Sequence, residues 1–374
     1  MFRRLPHTLP ADPVFEPDLA KLGFFLNSED QVRSISSPDR KWQYKINRNE
    51  RWNEVHKWAN NTAIRKIIYD RLADLGCETV RLPLGAGESE NHVPIIVSKD
   101  IATKARVTVF FGERNIEPGI LTWRVIGERG LSHGSLVEFS KALLSVPVLE
   151  TASASAPTST FASVPDLIVA NPCQLLWYRG GGRAVSTQEW LGLPRASAVH
   201  EAPRVDSVKN SIPGNRTYVE HVSYMFEKAI PSLVDKDAKL DLIGLEYTGS
   251  AVLEYLAEHW ETWSGRINGI SLVAPQHKVA DLIADGAPSN FITFLSRRCR
   301  AYFVSQSPVE TPIAGRQEFG CNCYASGEHS YQESAIVSCW RHILDWFNML
   351  YVNQGHEEVE FEVMKEDEEV KLGW

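Results

Sequence analysis

Eight short apolar runs, spaced along the chain with helical periodicity between them, restrict the fold more than any other feature of this sequence. They are TVRLPL (79–84), VPIIVS (93–98), RVTVFFGE (106–113), PDLIVANP (165–172), LDLIGLE (240–246), ISLVAP (270–275), AYFVSQ (301–306) and NCYASG (322–327). From residue 106 onward most are nearly continuous in apolar residues, the pattern of strands buried on both faces. Helical patterns lie between them at 135–144, 218–234, 250–260, 289–298 and 331–350. Strand alternating with helix predicts an α/β fold, with a mostly parallel sheet of about eight strands and helices on both faces. Before the first strand, Trp52, Val55, Ala59, Ile64, Ile68 and Leu75 recur at helical spacing, so a long helix is expected from Asn49, with Gly76 as its stop.

The domain plan follows from this pattern. Residues 1–48 form an N-terminal extension, 49–350 a single domain, and 351–374 an acidic tail. Within the domain, Ser/Ala/Thr-rich 151–163 is a surface loop and 174–215 an insertion, with WYRGGGRAV expected to turn at Gly180–Gly182. Net charge is -8, and the segment from Glu357 to Glu369 alone carries eight acids against Lys365. The remainder is near neutral, so no strong basic field argues for sequence-independent nucleic-acid binding. The tryptophans and basic residues of KWQYKINRNERWNEVHKW resemble a single-strand stacking surface; an amphipathic helix docking its aromatic face is the preferred reading. The acidic tail fits equally a solvated end or a docking segment for a basic partner such as a histone. No apolar run approaches the ~18 residues of a membrane span. The start lacks the apolar region of a secretory signal, leaving nucleus and cytoplasm open. Six cysteines in a chain of this length predict reduced, buried thiols. Cys321, Cys323, Cys339 and His342 lack the usual spacing of a zinc site, and no metal or cofactor is expected.

LDLIGLEYTGSAVLEYLAEHW (240–260) is a strand, a small-residue turn and a helix. That is the setting of the G-x-S-x-G elbow that presents the nucleophile in α/β-hydrolases. Here Glu246 stands where serine would. A carboxylate can be a covalent nucleophile; it can equally be a turn residue at a helix start, where negative charge is favoured. The loop Phe111-Gly112-Glu113-Arg114 occupies the place of an oxyanion hole, and Glu113 brings the wrong sign unless Arg114 neutralises it. His329 is the late histidine and Glu310 the orienting acid. His133, in Ser132-His133-Gly134-Ser135, fits an ordinary capped helix start.

Longer stretches carry a family resemblance. "MFRRLPHTLPADPVFEPDLAKLGFFLN", "NERWNEVHKWAN", "VRLPLGAGESENHVPIIVSKD", "LLWYRGGGRAVS", "YFVSQSPVETPIAGR" and "FGCNCYASGE" resemble the fungal Argonaute-binding protein two domain, from near Met1 to about Asn348. That family is similar to animal co-transcriptional regulators with an α/β-hydrolase-like fold. A related domain occurs at the C-terminus of fungal class II histone deacetylases. Against the relatives' elbow the serine falls on Glu246 and one glycine on Thr248. Their oxyanion loop falls on Phe111 to Arg114, keeping only Gly112. Their histidine falls close to Tyr331, two residues from His329, and the acid on Glu310. The resemblance thus implies an α/β-hydrolase-like domain with an N-terminal helical extension and a degenerate site. It implies no catalytic residue and no cofactor. It further implies a subunit of an Argonaute small-RNA chaperone complex in RNA interference and heterochromatin silencing. The deacetylase relatives imply a histone-binding adaptor as the alternative. A hydrolase using Glu246 is the third reading.

Overall fold

A computed structural model describes residues 9–144, 165–197 and 199–363. The 151–163 loop lies outside them. The chain divides into two compact units, residues 1–240 and 241–374.

In the first unit, residues Phe24–Leu26, Val32–Ser34 and Ser37–Lys41 form a three-stranded antiparallel meander. The described part of the N-terminal extension is therefore strand and turn, and its helical character begins only with α1, Glu50–Asp74. The Asn49 side chain accepts from the backbone N–H groups of Arg51 and Trp52 and caps that helix. It stops at Gly76, whose φ of +88° suits a residue without Cβ. Val55, Ile64, Ile68 and Leu72 form its buried face.

Four strands complete this unit: β1 (Cys77–Leu82), β2 (Val93–Ser98), β3 (Arg106–Phe111) and β4 (Asp166–Val169). Their order is β3-β4-β2-β1. Only β3 and β4 are parallel; β4–β2 and β2–β1 are antiparallel. The sheet is thus mixed at this end rather than mostly parallel. The connection from Leu82 to Val93 is shorter than the dozen or so residues that a parallel crossover needs. In the insertion, Leu176–Tyr178 and Arg183–Val185 form the expected hairpin. Val185, Trp190 and Leu193 make a small core beneath it.

The second unit is built on β5 (Lys239–Leu245), β6 (Ile267–Val273), β7 (Cys299–Phe303), β8 (Pro312–Ile313) and β9 (Asn322–Ala325), in the order β8-β9-β7-β6-β5. Here β6, β7 and β9 run parallel, and the two-residue β8 closes the edge antiparallel. All seven residues of β6 are buried, as the apolar runs require. Helices α2 (Glu246–Glu258) and α3 (Ala335–Val352) pack on β6. All six cysteines are free and buried.

Candidate functional site: a strand–helix elbow bearing Glu246

The strand β5 passes into α2 with no intervening loop, so the chain reverses direction at a single residue. Glu246 is that residue, with φ of +45°. A non-glycine residue takes up this left-handed conformation rarely and at a cost. The reversal brings strand and helix backbones into contact. A Cβ on Gly244 would lie 2.6 Å from Gly249 Cα, and one on Gly249 would lie 3.0 Å from the Gly244 carbonyl carbon and oxygen. Neither neighbour is a movable side-chain end. Gly249→Ala is therefore expected to lower stability by about 1–3 kcal/mol, as overpacking does. A loss of unfolding free energy in urea of under a few tenths of a kcal/mol would show that the elbow is looser than this.

The elbow thus keeps the geometry that displays a nucleophile, and displays a carboxylate instead. Glu246 is half-buried, and its Oε1 accepts from Gln332 Nε2 at 2.8 Å. Gln332 begins a short helical turn, Gln332–Ser334, ahead of α3. The preceding loop is held by Glu328, whose Oε1 accepts from the backbone N–H groups of His329, Ser330 and Tyr331 at 3.0, 3.0 and 3.2 Å.

The expected base and acid are engaged elsewhere. His329 is exposed, and its Nδ1 donates to the Ser305 carbonyl at 3.0 Å. Glu310 pairs with Arg300 at 3.2 Å and with His342 at 3.0 Å. Among the described residues, neither makes a hydrogen bond or ion pair with Glu246 or with the other. Tyr331 is exposed. An amide facing the carboxylate orients it but does not accept a proton at neutral pH. Gln332 therefore orients Glu246 without serving as a base beside it.

In the first unit, Gly112 follows β3. A Cβ there would meet only the Phe110 ring, at 3.6 Å, an ordinary contact that does not demand glycine. Glu113 is half-buried, and exposed Arg114 sits over the Tyr218 ring at 5.6 Å. His133 pairs with Glu138 at 3.1 Å, and Ser135 Oγ accepts from Val137 N–H at 3.4 Å, as a capped helix start would have it. Among the described residues, no group of three or more His, Cys, Asp or Glu is arranged to hold a metal ion. Nor, among them, is any helix long and apolar enough to cross a membrane.

Gln332 and Glu328 went unnoticed in the sequence. For Glu328 a signal was present: a carboxylate just before a helical turn, where free N–H groups gather. For Gln332 there was none, because its partner is 86 residues away.

A model of the Arb2 domain matches residues 15–309. The chain belongs to the Arb2 domain family. The Arb2 match includes Glu246 and the loop at Gly112, and stops one residue before Glu310. His329, Tyr331, Gln332 and the tail lie beyond it, although the resemblance read from sequence runs to about Asn348. No curated protein matches the chain. Among solved structures, a histone deacetylase from Saccharomyces cerevisiae is similar at 12% identity, covering 76% of this chain and 95% of its own, with a TM-score of 0.40. A hyperthermophilic esterase from the archaeon Pyrobaculum calidifontis is 10% identical, with coverage of 84% and 94% and a TM-score of 0.34. An arylesterase is 10% identical, with coverage of 80% and 95% and a TM-score of 0.35. The described residues of this Arb2 protein form a mixed α/β architecture with a strand–helix elbow at Glu246.

Proposed function

We propose that this Arb2 protein is a non-catalytic subunit of an Argonaute small-RNA chaperone complex, serving RNA interference and heterochromatin silencing in nucleus, cytoplasm or both. Membership of the Arb2 family carries the reading. The elbow supports its non-catalytic part: Glu246 in the nucleophile position is bonded to an amide, while His329 and Glu310 serve other partners. An Arb2 frame without a base has value as a surface for partners rather than as an enzyme.

The histone-adaptor reading leaned on the tail, and the tail gives it less support than its composition promised. Glu357, Glu358, Glu360 and Glu362 are already engaged by Arg297, Arg300, Arg316 and Gln317 of the same unit.

The test is a purification of the N-terminally tagged protein from its own cells, with and without nuclease. Argonaute is expected in both samples. Histones or a deacetylase without Argonaute would replace this proposal with the adaptor. The purified protein is also expected to turn over no ester. An ester hydrolysed by the wild type and spared by Glu246→Gln would overturn the non-catalytic assignment.

A further inference from the structure

The segment 41–45 does not dock as part of an amphipathic helix. It precedes α1 and, with the helix Trp123–Arg129, walls a cleft of about 580 Å³. That volume falls among those of small-molecule sites. Three aromatic residues line it, Trp42, Tyr44 and Trp123, together with Lys41, Lys45 and Arg124. We infer that this cleft binds single-stranded nucleic acid, its rings stacking on unpaired bases and its cations meeting the phosphates.

Three observations support this. First, the walls are fixed in advance. Buried Asn53 of α1 accepts from the backbone N–H groups of Ile46 and Asn47 at 2.9 and 3.2 Å, and buried His56 bonds the Tyr44 carbonyl at 2.8 Å. A preformed platform loses less freedom on binding. Second, Trp42 Nε1 is buried without a hydrogen-bond partner. Its ring lies over Gly127, where a Cβ would be 3.7 Å from Cε3. The Nε1 edge of the ring is out of a ligand's reach, and the half-buried residue offers the remainder of its ring for stacking. Third, the charge has the right sign. Lys41, Lys45 and Arg124 face one lining carboxylate, Glu128. Lys45 is shared with Glu50 at 3.2 Å, and the lining itself holds more cations than carboxylates.

The same surplus argues against the other ligand of an aromatic cleft, a methylated lysine, which carries positive charge itself. Duplex is disfavoured because its bases are stacked away from side chains. The overall negative charge does not contradict a local site; it predicts modest affinity, and the few lining cations predict a shallow fall with salt.

The inference stands apart from the Argonaute reading, because the test uses the full-length protein alone. Fluorescence anisotropy would follow its binding to labelled oligouridine, oligothymidine, an RNA duplex and a trimethyllysine peptide. The single strands are expected to bind, the duplex and the peptide far less; the two single-strand arms separate RNA from DNA. Trp42→Ala is expected to weaken single-strand binding about tenfold or more, the loss of one stacked base, and Trp42→Phe to restore most of it. Lys41→Glu with Lys45→Glu changes only exposed residues. It should preserve the circular dichroism spectrum and abolish the salt-sensitive part of binding. Absence of single-strand binding at low salt would overturn the inference. So would unchanged affinity in a folded double-lysine variant, or preference for duplex or peptide.

Discussion

Glu358→Ala is expected to destabilise the protein by about 3–5 kcal/mol, the usual cost of removing one partner from a buried ion pair. The carboxylate is almost wholly buried, in a tail whose composition fits a solvated end and a docking segment equally. Arg300 Nη2 donates to Oε1 at 2.7 Å, as does Trp346 Nε1 at 2.8 Å, while the Tyr324 hydroxyl donates to Oε2 at 2.9 Å. The Arg300 guanidinium lies 4.8 Å from the Tyr324 ring centre and 4.9 Å from that of Trp346. Removing the carboxylate strands an indole N–H and a phenol together, and leaves Arg300 with the partly exposed Glu310 as its remaining carboxylate. Glu358→Gln keeps acceptors for the neutral donors and loses the charge, so its cost should be smaller. Urea unfolding checks both. A loss under about 0.5 kcal/mol for the alanine variant, the range of ordinary surface substitutions, would mean that the tail is not docked in solution. Burial pushes the Glu358 carboxyl up, but the Arg300 charge and the three side-chain donors outweigh it and hold it below the usual range. Its contribution is therefore present above the unfolded value of about 4.3. It is lost as pH falls below that value, through the lower folded one.

His221 is expected to make the protein acid-sensitive at higher pH than any carboxylate does. The ring is fully buried, and burial holds its pKa down to about 3. Its Nε2 accepts from the Asn171 backbone N–H at 2.9 Å, so the proton sits on Nδ1, which donates to Asn215 Oδ1 at 2.7 Å. Both ring positions are used by the neutral form, and neither leaves room for a second proton. The unfolded chain protonates this histidine near 6.5 while the folded one does not. Stability is then whole above about 6.5 and falls toward 3, by on the order of 4 kcal/mol at the acid end. His221→Gln keeps an acceptor for the Asn171 N–H but lacks the Nδ1 donor, so it is expected to cost about 1–3 kcal/mol at neutral pH through the buried Asn215 Oδ1 left without that donor. In return, the stability curve should flatten between pH 6.5 and 4.5. His277 is also held low by burial, against its bond to the Phe319 carbonyl, so the variant removes only the His221 share of the slope. Parallel curves for the two proteins would exclude His221 as a source of the acid sensitivity.

The basic cluster Arg297-Arg298-Arg300 shows how far local reading reaches. At a helix end it is consistent with the dipole. Its actual work is to grip the tail. Arg297 pairs with Glu357 at 2.7 Å, and Arg298 donates to the carbonyls of Gln354 and His356 at 3.1 and 2.9 Å. Arg300 takes Glu358. No spacing in the sequence announces these pairings, because the partners are some 60 residues apart and charge attracts without periodicity.

By itself, the sequence determined what local physics controls. Apolar runs set the strands, helical spacing set α1, Gly76 ended it, and Gly180–Gly182 turned the hairpin. Gly244 and Gly249 marked the elbow, since only a missing Cβ lets two backbones approach so closely. Tertiary structure alone decided who faces whom. It set Gln332 against Glu246, sent His329 to a carbonyl and Glu310 to Arg300, buried Glu358, and turned Trp42 and Tyr44 into the wall of a cleft. A hydrogen bond or ion pair joins positions distant in sequence, and its partner is fixed only when packing brings one of several chemically equal candidates within about 3 Å.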